Sequence, residues 1–229
     1  EGFKIVNKSF ENTVGVDRDD IEDDTYGVYN PLMADLGQTA AEFPDQLVWP
    51  LLNTGFVNTC FDGQYFFDTD HPVLNAAGVE QSISNFQGGV GTPWYLLDVS
   101  RAIKPFIFQK RRPPTFVAND SPDADGVFRN KEFVYGVDMR CNAGYGLWQL
   151  AYASKEDLTI DNYAAARAAM MDMKGDHDRP LRLKPMLLVV PGSLEKKARD
   201  VLIAQREANG KDNTYAGTAE LLVEQLLAA

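Results

Sequence analysis

The chain has 229 residues, 45% hydrophobic and 24% charged, the make-up of a globular protein with one large domain or two modest ones. A net charge of −11 repels polyanions, which argues against a protein that grips nucleic acid or anionic lipid through its overall charge. No stretch approaches the roughly 18 consecutive apolar residues that a membrane span requires. The opening Glu1-Gly2-Phe3-Lys4 has neither an initiator Met nor an apolar signal region, so the chain reads as a fragment whose N-terminus lies upstream. Cys60 and Cys141 fit no zinc spacing and no disulfide framework, and read as reduced, buried thiols.

Residues 3–16 alternate partly (Phe3, Ile5, Phe10, Val14, Val16) and read as one or two strands of an extended arm. The arm has little to bury within itself, so it is expected to be ordered mainly by a neighbouring subunit. An acidic run from Asp17 to Asp24 follows. A long helix is predicted over 30–53, with Asn30 as N-cap, Pro31 at the first helical position and a stripe through Leu32, Met33, Leu36, Ala40 and Phe43. Pro44 should kink or restart it, since proline lacks the amide hydrogen and crowds the preceding turn. The stripe resumes at Leu47, Val48, Leu51 and Leu52.

Residues 60–93 are rich in Gly, Asn, Asp and Pro and show no period. Strands are predicted at Trp94–Val99, Pro105–Phe108, Thr115–Ala118, Phe133–Cys141 and Leu147–Tyr152; the fourth alternates most cleanly. The remainder reads as helix, strand, helix, strand. A helix spans about 161–173, a short strand Met186–Val190, a helix capped by Ser193 runs to about Ala208, and a last strand covers Ala219–Leu227. The fold class is therefore α+β, with a compact α/β layer at the end.

Motifs for chemistry fall short. Gly88-Gly89-Val90-Gly91-Thr92 lacks the lysine of a phosphate loop, and Pro93-Trp94 leads into a strand instead of a helix N-terminus. Ser121 to Glu132 matches a calcium loop of the EF-hand type at Asp123, Asp125, Gly126 and Glu132, but begins with Ser and is flanked by strands; the expectation is an exposed turn. His71 and His177 sit in Asp-Pro and Asp-Gly contexts, and both are expected on exposed turns. No serine occupies a nucleophile elbow. The basic run Lys110-Arg111-Arg112 reads as a solvated loop. No catalytic, cofactor-binding or metal-binding residue is assigned, and no enzyme activity is expected.

Several stretches carry a resemblance: Asn7-Lys8-Ser9-Phe10-Glu11, Arg18-Asp19-Asp20-Ile21-Glu22-Asp23-Asp24, and Pro44-Asp45-Gln46-Leu47-Val48. The strongest are Phe61-Asp62-Gly63-Gln64-Tyr65-Phe66-Phe67-Asp68-Thr69-Asp70-His71-Pro72 and Trp94-Tyr95-Leu96-Leu97-Asp98. Lys104-Pro105-Phe106-Ile107-Phe108-Gln109-Lys110-Arg111, Lys131-Glu132-Phe133-Val134-Tyr135-Gly136-Val137, Leu187-Leu188-Val189-Val190-Pro191 and Gly217-Thr218-Ala219-Glu220-Leu221 complete the set. Together they resemble the major head subunit of Mu-like phages and prophages, the gpT-like family, over essentially the whole chain.

The resemblance implies a tailed-phage capsid protein of the Hong Kong 97 type, with a peripheral domain, a spine helix, an extended loop and an axial domain. On that template residues 1–29 are the extended-loop remnant and connector, 30–153 the peripheral domain with its spine helix at 30–53 and its β-sheet, and 154–229 the axial domain. It further implies a structural protein of the virion, made in the bacterial host cytoplasm. Such subunits assemble into hexamers and pentamers of an icosahedral shell, with scaffold and portal proteins as partners and packaged DNA touched only non-specifically. The alternatives are a nanocompartment shell subunit of the same fold, or a metal-dependent hydrolase using His71, His177 and nearby Asp residues.

Overall fold

The computed structural model describes residues 4–24, 27–121, 123, 125–207 and 210–227. Phe3, Pro122, Ala124 and Ala208, each part of an expectation above, lie outside them. In chain order the elements are β1 (Lys8–Asp17), α1 (Arg18–Glu22), α2 (Tyr29–Val48), α3 (Pro50–Thr54), β2 (His71–Leu74), β3 (Glu80–Ile83), β4 (Phe86–Gly89), β5 (Trp94–Leu97) and β6 (Phe106–Asn119). Then come α4 (Asp125–Asn130), β7 (Glu132–Tyr145), β8 (Ala151–Lys155), α5 (Ile160–Met171), a small ribbon of β9 (Lys174–Gly175) and β10 (Arg179–Pro180), β11 (Leu187–Val190), α6 (Glu195–Leu202) and β12 (Glu220–Val223). They form two compact units: Ile5–Leu47 with Phe108–Ala143, and Glu1–Lys4 with Val48–Ile107 and Gly144–Ala229.

The first unit is built on a three-stranded sheet in the order β1-β7-β6. β1 pairs with β7 in ten consecutive antiparallel positions, from Lys8 opposite Cys141 to Asp17 opposite Glu132. Val16 is buried, and the Phe10 ring lies 4.6 Å from that of Phe43 on α2. The arm expected to need a neighbouring subunit is therefore a strand of its own sheet. The reason lies in β7: its alternation offers a long paired edge on which a weakly apolar strand satisfies its backbone groups.

β6 runs unbroken through Pro113 and Pro114, where two separate strands were expected. Proline is tolerated because β6 is an edge strand, where a missing amide hydrogen need not break a ladder bond. The basic run Lys110-Arg111-Arg112 thus sits on a strand, not a loop, with exposed side chains; Arg112 pairs with Asp138 of β7. Between β6 and β7 the calcium-loop segment contains the helix α4, with Val127 buried, in place of the plain turn expected there.

α2 begins at Tyr29, ahead of the expected cap. Asp24 accepts hydrogen bonds from the amides of Val28 and Tyr29, at 3.0 and 3.2 Å, and so serves the first unpaired donors. The helix passes through Pro44 without ending. The restart comes at Pro50, which opens α3 at its N-terminus, where proline costs no hydrogen bond. Leu36 is the buried residue of α2, and Leu52 that of α3.

The second unit centres on a five-stranded sheet in the order β12-β11-β5-β8-β4. β5 is antiparallel to both neighbours, while β11–β12 and β4–β8 are parallel pairs. Strands β5 and β8, expected in one sheet with β6 and β7, belong here instead: all four residues of β5 are buried, and a strand buried on both faces needs partners and cover on both sides. The glycines of the phosphate-loop look-alike serve this sheet. Gly89 has φ +93°, a Cβ there would stand 2.3 Å from the backbone of Lys155, and the Gly91 amide donates to the Lys155 carbonyl at 2.8 Å. α6 ends at Leu202, short of the expected end, and the Asn213 amide nitrogen donates to the carbonyls of Asp200, Val201 and Ala204, capping the freed acceptors.

Asp98 follows β5 and is fully buried. Its carboxylate accepts from the Ser100 amide and hydroxyl and from the Lys184 amide, at 2.9, 2.6 and 2.9 Å. Burial pushes its pKa up, but these hydrogen bonds and nearby Arg101 outweigh burial and leave the pKa lowered. The folded chain therefore gains stability from ionised Asp98 above the carboxylate's ordinary range, and loses it as pH falls through the depressed folded value. Asp98→Ala should cost about 2–4 kcal/mol at neutral pH by leaving buried donors without an acceptor. In urea titrations, the gap between the unmodified chain and Asp98→Asn should shrink below about pH 4; a constant gap would contradict the assignment.

Candidate functional site

Residues 59–65 form a tight loop closed by a bridge between Thr59 and Tyr65. The Cys60 amide donates to Gln64 O at 2.8 Å, and Gly63 adopts φ +88°, a conformation open to glycine at little cost. The loop turns the Asp62 carboxylate inward. Its Oδ1 accepts from the Cys60 thiol at 2.9 Å and from the Gln64 amide at 3.1 Å. Its Oδ2 lies 2.7 Å from Nδ1 of His71, the first residue of β2.

His71 is fully buried, and the Asp62 side chain is only 6% exposed. The imidazole stacks on Trp148 with centroids 3.8 Å apart and planes 8° from parallel. This corrects the expectation of two exposed turn histidines. His177 is exposed, at φ 60°, but His71 is a core residue. The Asp-Pro flank does not hold it on the surface, because Val73 of the same strand is buried and the period-2 alternation turns His71 to the same face.

Asn85 completes the network. Its amide nitrogen donates to the Phe66 and Trp148 carbonyls at 2.8 and 3.3 Å, and its oxygen accepts from the Asp68 amide at 2.9 Å. With the amide oriented in this way, Oδ1 faces His71 Nε2 at 3.3 Å, so Nε2 is the nitrogen that carries hydrogen. The other nitrogen then confronts an acceptor, Asp62 Oδ2. Cys60, half-buried, has its thiol pushed up to about 12 by burial and by Asp62, so the thiol keeps its hydrogen for the Asp62 bond.

One donor atom each from Cys60, Asp62 and His71 lies within 4.8 Å of the other two; His177 is not in the group. Asp62 also lines a recess of about 200 Å³ with Pro72, Trp148, Asp176 and Arg179. The sequence signal for this cluster was Cys60-x-Asp62 ahead of Asp70-His71-Pro72, and it stayed silent because nothing in it specifies the loop that folds back on β2. Asn85 was missed altogether.

In the first unit, α2 and the β1–β7 face line an apolar groove of about 260 Å³ containing Phe10, Leu36, Ala40, Phe43, Val137 and Met139. Phe116, Val117 and Phe128 are exposed on β6 and α4. Charges in this unit pair locally: Lys131 with Asp19 at 2.9 Å, and Arg18 with Glu22 at 3.5 Å. No helix among the described residues is long and apolar enough to cross a membrane.

Comparison with known proteins bears on the whole chain. Residues 1–227 match the family described as Mu-like prophage major head subunit gpT. The chain is 44% identical over 235 residues to the major capsid protein of Escherichia phage Mu, covering 99% of this chain and 77% of that protein. It is 46% identical over 218 residues to the Mu-like prophage FluMu major head subunit of Haemophilus influenzae, covering 92% and 70%. Its structure superposes on a chain of the bacteriophage JBD30 capsid with a TM-score of 0.85 at 33% identity, covering 99% of this chain and 77% of that one.

Proposed function

The chain belongs to the Mu-like prophage major head subunit gpT family, and from that premise we propose that it builds an icosahedral phage head as hexamers and pentamers of itself. It is a major capsid protein of the Mu-like kind, a structural subunit of the virion head. The observation that carries this is the match over residues 1–227, backed by a superposition that leaves almost none of the chain out.

In finer detail, the subunit takes the Hong Kong 97-type plan. α2 is its spine helix, and the unit of β1, β6, β7 and α2 is its peripheral domain. Residues 1–29 are the returning limb of the extended loop and its connector, running into the peripheral sheet as β1. Residues 154–229, together with 48–107 and 144–153, form the axial domain. In support, the helix packs on a sheet with two 14-residue strands, and a separate α/β unit carries the short buried strands. Scaffold and portal proteins are its partners during assembly in the host cytoplasm, and packaged DNA is met only non-specifically, in keeping with a net charge of −11. The subunit works through its surfaces and needs no catalytic step.

The test is to express the protein together with neighbouring head genes and to examine the particles by electron microscopy and sedimentation. Closed shells with this polypeptide as their most abundant component are expected. A protein that stays monomeric or disperse under those conditions would overturn the proposal.

A further inference from the structure

We propose that Cys60, Asp62 and His71 form a binding site for a divalent transition-metal cation of the zinc class. Three observations point there. The set joins a thiol sulfur, a carboxylate oxygen and an imidazole nitrogen, the donor types that zinc takes in sites with three protein ligands and one open position. The donors come from a loop and an adjoining strand start only eleven residues apart in sequence, so bringing them together costs little chain entropy. His71 already has the outer support that a ligating imidazole uses: Nε2–H is held by Asn85 Oδ1, which leaves Nδ1 aimed at Asp62.

The cation forms bonds to Cys60 Sγ, Asp62 Oδ and His71 Nδ1, and the Sγ–H proton and any Nδ1–H proton leave to solvent. Nothing is oxidised or reduced. The present 2.7 and 2.9 Å separations are hydrogen bonds. They widen to roughly 3.3–3.7 Å around a tetrahedral ion with bonds of about 2.0–2.3 Å. Of the three ligands, Asp62 also lines a recess of about 200 Å³. Sulfur among the ligands selects against magnesium and calcium, which take oxygen donors. Bound there, the ion would clamp the 59–65 loop to β2. The capsid role neither requires this site nor excludes it.

The experiment uses the whole chain, freed of metal with a chelator under reducing conditions, and titrated with zinc chloride in competition with a chromophoric chelator. One equivalent should bind, with proton release, and the melting temperature should rise with zinc and not with magnesium. Cys60→Ser should weaken binding at least about tenfold, while His177→Ala should leave it unchanged. Cobalt chloride added to the unmodified chain supplies a readout that no variant's folding can confuse: a thiolate-to-cobalt charge-transfer band is expected. No band, no zinc equivalent, or zinc binding indifferent to Cys60→Ser would each overturn the site, whether or not the protein forms shells.

Discussion

Trp94→Ala is expected to destabilise the subunit by about 3–5 kcal/mol, the range for emptying a buried tryptophan site. Trp94 opens β5, the middle strand of the five-stranded sheet, and is fully buried. Its indole N–H donates to the Glu156 carbonyl at 2.8 Å across the end of β8. Alanine there would leave a cavity against one face of the sheet, and would orphan that carbonyl. Trp94→Phe keeps much of the volume and loses the hydrogen bond, so it should cost less, about 1–2 kcal/mol. Urea unfolding followed by circular dichroism measures both. A loss under about 1 kcal/mol for the alanine variant would mean that β5 is not the packed centre described above.

Deleting residues 8–17 should abolish the cooperative folding of the unit formed by Ile5–Leu47 and Phe108–Ala143. The deletion strips one whole edge from β7, leaving ten positions of ladder unpaired, and uncovers Val137, Met139 and Leu36, all buried in the intact chain. Limited proteolysis should then cut first within β6, α4 and β7. In the unmodified, unassembled subunit, hydrogen exchange should already find the amides of β1 protected where they bond to β7. A deletion variant that melts as the intact chain does, or exchange in β1 as fast as in an unfolded peptide, would show that the strand is held by other subunits after all.

Both expectations rest on where strands pair, and that is where sequence and tertiary structure part company. Local period was legible. The 3.6-residue stripe through Leu32, Leu36 and Phe43 marked α2, the stripe through Tyr163, Ala166 and Met170 marked α5, and the alternation of Phe133, Tyr135, Val137 and Met139 marked β7. Each pattern is written within one element, by the need to turn one face inward. The long specific stretches, Phe61 to Pro72 above all, also marked the capsid family.

Partner choice was not legible in the same way. Nothing in Trp94–Leu97 says that it pairs with Leu187–Val190 instead of β6, and nothing in residues 8–17 says that they pair with β7 of their own chain. Proline acted through its surroundings: Pro44 lies within a helix that continues, Pro50 opens a new one, and Pro113-Pro114 pass along an edge strand. His71 shows the limit most sharply. Its Asp-Pro flank reads as a surface turn, yet the fold buries it against Trp148 and gives it Asp62 and Asn85, residues 9 and 14 positions away. A local sequence determines period and propensity because those depend on neighbours along the chain. Which polar group is buried, and with what charge opposite, is decided only when distant segments close on one another and exclude water.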